Sequence, residues 1–170
     1  ISQEIFPLAD YYIDLHSGDD YEELTPYVYY AGVADEETVK QSRQMAAWVD
    51  VPYMVRSHVG SGGAYNYAAS QGIPGILIER GGMGTWSQEE THSTRRDVRN
   101  ILCNLGIYQD EKDYRKHYPL DVVDVCYQYA SHGGLWYPFK KVGDMISEGE
   151  FLGEVRNYEG NPVEGCWAQS

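Results

Sequence analysis

The chain has 170 residues, of which 42% are hydrophobic and 14% aromatic, so it can bury a core in one domain, or in one domain with a small appendage. Its 26 acidic residues outnumber its 13 basic ones and give a net charge of −13, which disfavours nucleic acid and anionic membrane surfaces as main partners. No apolar run approaches the roughly 20 residues that a membrane-spanning helix needs, so no membrane partner is expected.

The three cysteines, Cys103, Cys126 and Cys166, do not form the spacing of a disulfide framework. An odd number without a Cys-x-x-Cys pair favours a reducing compartment, and we expect the cytoplasm. The chain starts at Ile1 without an initiator methionine, and it stops shortly after a Gly-Asn-Pro turn, where a further strand would be expected. We therefore expect a piece of a longer protein, truncated at both ends.

The first 105 residues alternate between strand-like and helix-like patterns. Tyr12, Ile13 and Leu15 predict a strand that ends at the small-residue turn beginning with Ser17. The elements predicted after it are, in order, strand 27–31, helix 36–49 with Asp35 as its N-cap, strand 52–56, helix 64–71, strand 74–79 and helix 87–105, whose Ser87 and Glu90 fit a capping box. This alternation predicts an α/β fold with a mostly parallel sheet flanked by helices.

Beyond residue 108 the helical pattern stops. A charged stretch, 109–113, precedes three predicted short strands, 122–129, 134–138 and 151–155. The segment 142–153 resembles a hairpin of biotinyl/lipoyl-like barrels, but it has no lysine placed for a carrier role. We therefore predict two parts, a partial α/β domain at 1–108 and an incomplete β-rich, barrel-like appendage at 109–170.

Two predicted strands end in an ionisable residue followed by a turn of small residues, and ligands of open α/β sheets gather at such strand ends. His16, with Asp14 two residues before it, could be a metal ligand, a general base or a satisfied polar strand end. Glu79 could accept a proton from a metal-activated water, or it could be a structural partner of Arg80 or Arg56. The residue pattern alone leaves these alternatives open.

Four segments of the sequence resemble the succinylglutamate desuccinylase/aspartoacylase family in their order and spacing. They read ADYYIDLHSG, GIPGILIERGGMG, DVRNILCNLGI and GGLWYPFKKVGDMISEGEFLGEV. Members of this family are zinc-dependent deacylases with a zinc-carboxypeptidase-like fold. The resemblance covers nearly the whole chain and implies the same fold here.

The resemblance also implies roles for individual residues. His16 corresponds to the third ligand of one zinc ion, Asp14 supports the site beside it, and Glu79 is the catalytic glutamate. Such a glutamate takes a proton from the attacking water and returns it to the leaving amine. The implied substrate is a small N-acylated amino acid or amine, and Arg56 and Arg80 are candidates for gripping a substrate carboxylate. A homo-oligomer is left open.

One family motif is missing. The first two zinc ligands come from an upstream His-Gly-x-Glu turn, and none of the five histidines here begins a His-x-x-Glu sequence. A catalytic zinc needs three protein ligands and a water, so two ligands are expected upstream and these 170 residues alone are expected to be inactive. His58 and His132 are weaker candidates for a site role. The alternatives are a non-catalytic binding or scaffold module that kept the fold without the metal, and a zinc peptidase.

Overall fold

The computed structural model describes residues 1–111 and 117–169, which divide into two compact units, Ile1–Asp124 and Val125–Ser170. This division corrects the predicted boundary after residue 108. Strand β5, Leu120–Val122, pairs with a strand of the first sheet and therefore belongs to the first unit. Most of the predicted charged stretch 109–113 stays within that unit, although residues 112 and 113 lie outside the described residues.

The strands and helices predicted up to residue 105 are all confirmed, most of them to within two residues. The first unit contains a short 3-10 helix Phe6–Leu8, β1 Tyr12–His16, β2 Tyr27–Ala31, α1 Glu36–Ala46, β3 Tyr53–Ser57, α2 Ala64–Ser70, β4 Gly75–Glu79, α3 Gln88–Asn104 and β5. Asp35 caps α1 by accepting a hydrogen bond from the Thr38 amide at 3.0 Å. Ser87 caps α3 in the same way, accepting from the Glu90 amide at 3.1 Å. Local sequence therefore determines where these helices begin.

The five strands form one sheet in the order β1-β4-β2-β3-β5. The pairs β1/β4, β2/β3 and β3/β5 are parallel, which confirms the mostly parallel sheet, but β2 and β4 are antiparallel. The antiparallel pair has a consequence for function. The carboxyl ends of β1 and β4 lie at one end of the sheet, and the carboxyl ends of β2 and β3 lie at the other.

The two faces of the sheet bury separate apolar clusters. On one face Val28, Tyr30, Ile76 and Ile78 pack with residues of α1 and α3, such as Met45 and Ile101. On the other face Leu77 and Ala31 pack with Tyr65 and Ala69 of α2. Successive side chains of a strand point to opposite faces, so Asp14, His16 and Glu79 all belong to the α2 face. Among the described residues, no helix combines the length and apolar character that a bilayer crossing requires.

The second unit contains one antiparallel sheet of three strands in its described part. These strands are β6 Leu135–Pro138, β7 Phe151–Arg156 and β8 Pro162–Trp167, in that order across the sheet. The β-rich character of the appendage is therefore confirmed, as are strands 134–138 and 151–155. The predicted strand 122–129 is wrong, because only its first residue lies in a strand, β5 of the first unit, and residues 123–130 are not in strands. The turn at Gly160 leads directly into β8, which begins at Pro162, where the sequence analysis expected a further strand.

The loops that follow β1 and β4 are locked together through their backbones. The Met83 amide donates to the Glu22 carbonyl at 2.9 Å, and the Gly84 amide donates to the Asp19 carbonyl at 3.1 Å. Gly82 must be small at this contact, because a Cβ atom there would lie 2.6 Å from the Glu22 carbonyl oxygen. The glycines after β4 thus allow a close approach between two backbones, which fixes both strand ends relative to each other.

We predict that Gly82→Ala lowers the free energy of unfolding by about 1–3 kcal/mol, because the added methyl group meets a backbone atom that cannot rotate away. Chemical denaturation of the protein checks this. Gly60→Ala is the matched control, since a Cβ atom there meets only the Val33 side chain at 3.4 Å. Equal stability of the two variants would contradict the interlocking of the loops.

Candidate active site

His16 and Glu79 face each other across the parallel pair β1/β4, where they are register partners. His16 Nδ1 lies 3.6 Å from Glu79 Oε1, and His16 Nε2 lies 3.3 Å from Asp14 Oδ1. The imidazole is half exposed, with 49% of its side-chain surface accessible, whereas Asp14 and Glu79 retain only 20% and 14%. An accessible imidazole therefore lies between two largely covered carboxylates.

The surroundings of Glu79 favour its protonated form. Burial raises the pKa of Glu79 above its ordinary value, the negative charges of Glu22 and Asp14 raise it further, and His16 acts in the opposite direction. A carboxyl group whose pKa is moved towards neutrality can both accept and release a proton under physiological conditions. This arrangement suits Glu79 for general acid–base chemistry.

A cavity of about 460 Å³ begins at His16 and runs along the α3 side of β1. Its walls include Leu15 and Ser17 on the β1 side and Thr91, Thr94 and Arg95 on α3. Neither Asp14 nor Glu79 lines it. His16 is the member of the trio that also borders this cavity.

Arg56 lies at the other end of the sheet. It is the last but one residue of β3 and pairs with Tyr30, whereas the start of β2, Tyr27, is the register partner of Glu79. Its guanidinium donates from Nη2 to the Gly32 carbonyl at 3.1 Å. Arg56, a candidate for gripping a substrate carboxylate, therefore lies away from His16, because the antiparallel pair β2/β4 puts the carboxyl ends of β1 and β3 at opposite ends of the sheet.

Arg80 is held by a buried ion pair, and it also lines the cavity that borders His16. Its contact with a substrate carboxylate stays a prediction. Its side chain is only 9% exposed and pairs with Asp97 of α3, which is completely buried. Nη2 also donates to the Asp50 carbonyl at 2.7 Å. The suggested pairing of Glu79 with Arg80 or Arg56 is not found among the described contacts, since Glu79 faces His16 and Arg80 turns to the opposite face.

The two weaker histidine candidates lie away from the trio formed by Asp14, His16 and Glu79. His58 follows β3 at the far end of the first sheet, and its Nε2 lies 2.6 Å from the Val123 carbonyl oxygen. His132 belongs to the second unit, where its Nδ1 lies 3.2 Å from Glu164 Oε2. Each has a nearby polar partner within its own unit.

The trio fits part of a zinc site. His16 offers an accessible imidazole, and the second nitrogen of a metal-bound histidine ordinarily meets a carboxylate, as the Asp14 contact provides. Within residues 1–111 and 117–169, however, no group of three His, Cys, Asp or Glu side chains is placed to hold a metal ion. Among the described residues, His16 and Asp14 could therefore serve as one ligand and its support, and a complete zinc site would need ligands from elsewhere.

Comparison with known proteins places this chain in a family. The family model for the succinylglutamate desuccinylase/aspartoacylase catalytic domain matches residues 1–105. The chain belongs to this family. A relative from Halomonas elongata, named N-alpha-acetyl-L-2,4-diaminobutyric acid deacetylase, is 27% identical over 157 residues, which cover 89% of this chain and 46% of the relative.

Several solved structures share the fold of this chain. The product-bound ectoine utilization protein EutE (DoeB) from Ruegeria pomeroyi matches 98% of this chain with a TM-score of 0.84 at 24% identity, over 53% of its own length. A succinylglutamate desuccinylase from Silicibacter sp. TM1040 matches 99% of this chain with a TM-score of 0.81 at 23% identity, over 52% of its length. The chain thus spans about half the length of the relatives that it matches.

Sequence reasoning missed two contributors to the site. Glu22 lies in an acidic loop without a recognisable motif, and its charge acts on Glu79 only because the two loops interlock. Asp97 is separated by seventeen residues from Arg80, its partner. No spacing rule connects either pair, although a lone aspartate within the apolar stripe of α3 was a signal that it needs a cationic partner.

We predict that Glu79→Gln changes the pH dependence of stability in the metal-free protein. Because the pKa of Glu79 is raised in the native state, its stabilising contribution is full below its ordinary value of 4.5 and is lost as the pH rises through the raised pKa. The free energy of unfolding of the variant minus that of wild type should therefore increase from about pH 4 to about pH 7. Urea denaturation of both proteins at the two pH values measures this difference.

Glu23→Gln serves as the control, since this exposed glutamate lies in the loop after β1. The difference in free energy of unfolding between this control and wild type should change little between the two pH values. If the difference for Glu79→Gln is equally constant, burial does not perturb Glu79 and the acid–base assignment loses its electrostatic support.

Proposed function

We propose that the complete protein is a zinc-dependent deacylase, an amide hydrolase that removes an N-acyl group from an amino acid or a small amine. The observation that carries this proposal is the register pairing of His16 with Glu79 at adjoining strand ends, 3.6 Å apart. Family membership supports it, as does the name of the Halomonas elongata relative, a deacetylase of an N-acetylated diamino acid.

We assign His16 as one zinc ligand and Asp14 as the carboxylate that orients its imidazole. The two further ligands are proposed to come from the part of the protein outside these 170 residues, because the chain covers about half of its relatives. When bound, zinc would polarise the substrate carbonyl and lower the pKa of a coordinated water.

Glu79 is the proposed general base and acid. Its carboxylate accepts a proton from the attacking water and then delivers that proton to the nitrogen of the leaving amine. Because its pKa is raised, the Glu79 carboxylate is a stronger base than that of an ordinary glutamate, which favours the first transfer, the removal of a proton from the attacking water. The interlocked loops keep this carboxylate beside His16, so that both groups meet the same amide bond.

The proposed substrate is small, an N-acylated amino acid or amine rather than a nucleic acid. We place the activity in the cytoplasm, since the three cysteines of this chain are free thiols. The second candidate function is a binding module that kept the fold without the metal.

The two functions are separated by measuring zinc content and deacylation in the full-length protein. N-acetyl-2,4-diaminobutyrate and N-succinylglutamate are the first substrates to test. We expect one zinc per chain and measurable turnover. His16→Ala should lose both, because it removes a ligand, whereas Glu79→Gln should keep the zinc and lose about 100- to 10,000-fold in kcat.

Glu23→Gln is the matched control for the glutamate substitution and should keep wild-type zinc and turnover. A full-length protein that binds no zinc would favour the binding module. Wild-type turnover in Glu79→Gln would remove Glu79 from the mechanism.

A further inference from the structure

The residue after Glu79 holds both reactive strand ends through its backbone. The Arg80 amide donates to the His16 carbonyl at 3.2 Å, which extends the β1/β4 pairing by one hydrogen bond beyond the register pair of His16 and Glu79. Any movement of Arg80 is therefore transmitted to the relative position of the imidazole and the carboxylate.

The side chain of Arg80 is in turn fixed by a buried carboxylate. Its Nε and Nη2 both donate to Asp97 Oδ2, at 3.0 Å and 2.5 Å. Asp97 is inaccessible to solvent and Arg80 is nearly so, so water does not compete for this pair. A guanidinium held through two nitrogens cannot rotate about its terminal bonds without losing a contact.

The pair closes a ring through the segment between α1 and β3. Asp97 Oδ1 accepts from the Asp50 amide at 3.0 Å, and the Asp50 carbonyl accepts from Arg80 Nη2 at 2.7 Å. The Asp50 carboxylate then accepts from Arg96 of α3 at 2.8 Å and from the His117 amide at 2.7 Å. The end of β4 is thus tied to α3 and to a second loop by contacts at several points.

This network contains no group of the reacting trio. Its charged side chains lie on the α3 face of the sheet, and Glu79 lies on the α2 face. A buried ion pair is costly to desolvate and is a poor source of net stability, so its retention here calls for another explanation. Fixing a catalytic carboxylate is such an explanation, because a displacement of about 1 Å in an active site can cost 100-fold in rate.

We propose that Arg80 and Asp97 form a positioning pair that holds Glu79 against His16 from the opposite face of the sheet. Arg80 anchors the point at which β4 ends, and Asp97 anchors Arg80 to α3. The catalytic consequence rests on the proposed deacylase function, whereas the positioning itself does not.

The test uses Arg80→Lys and Asp97→Asn in the full-length protein. Lysine keeps the charge but cannot grip Asp97 through two nitrogens, and asparagine keeps the shape but loses the charge. Hydrogen–deuterium exchange should accelerate at least about tenfold at the amide of residue 80, while the amides of Ile76 and Ile78 in the centre of β4 keep their protection. In the zinc-loaded enzyme kcat should fall about 10- to 100-fold with KM and zinc content unchanged.

Arg43→Lys is the matched control, since Arg43 pairs with Asp121 at 2.7 Å away from the end of β4. It should leave both the exchange at residue 80 and kcat at wild-type values. If hydrogen–deuterium exchange accelerates uniformly along the whole of β4, the strand has loosened in general and the proposal is overturned. A wild-type kcat in Arg80→Lys would also overturn it.

A wild-type protein that exchanges residue 80 rapidly overturns the positioning proposal without any variant. A wild-type protein without deacylase turnover defeats the proposed function instead. In that case the exchange at residue 80 in the variants decides the positioning proposal by itself.

Discussion

The candidate site depends on the parallel backbone pairing of β1 and β4. This ladder places His16 opposite Glu79, and each of the two residues is the last of its strand. A shift by one residue would send one of the two side chains to the other face of the sheet, where α1 and α3 pack. The alternation of Tyr12 and Leu77 towards α2, and of Ile13 and Ile78 towards α1 and α3, resists such a shift because it would expose both apolar sets.

The direction of β2 determines which residues can join this site. Because β2 runs antiparallel to β4, its first residue, Tyr27, lies next to Glu79, and its last residue lies at the far end of the sheet. β3 runs parallel to β2, so Arg56 and the glycine-rich segment 60–63 are also at the far end. A sheet that was parallel throughout would have put the end of β3, with Arg56, at the same end of the sheet as His16.

Two kinds of contact support the strand ends. Backbone hydrogen bonds join the loops after β1 and β4, and they require Gly82 to have no side chain. Charged side chains form the second support, on the opposite face, where Arg80 binds the buried Asp97. Nearby charges also affect Glu79 itself, since Glu22 and Asp14 add to the effect of burial and raise its pKa. Stability and reactivity at this site therefore share the same residues.

The sequence by itself determined the secondary structure of the first 105 residues, the helix caps at Asp35 and Ser87, and the two strand ends that carry His16 and Glu79. These are local properties, set by hydrophobic period, capping side chains and turn residues within a few positions of each other. The family resemblance of the motifs around these strand ends was visible for the same reason.

Only the tertiary structure decided strand order and direction, and with them the positions of Arg56 and Arg80 relative to His16. Strand pairing joins segments that are tens of residues apart, and no local signal states whether a neighbour runs parallel or antiparallel. The same holds for Arg80 and Asp97, whose charges could each have faced solvent. Asp97 lies on the buried face of α3, so its carboxylate needs a partner such as the Arg80 guanidinium. Burial is a property of the folded chain rather than of the sequence around either residue.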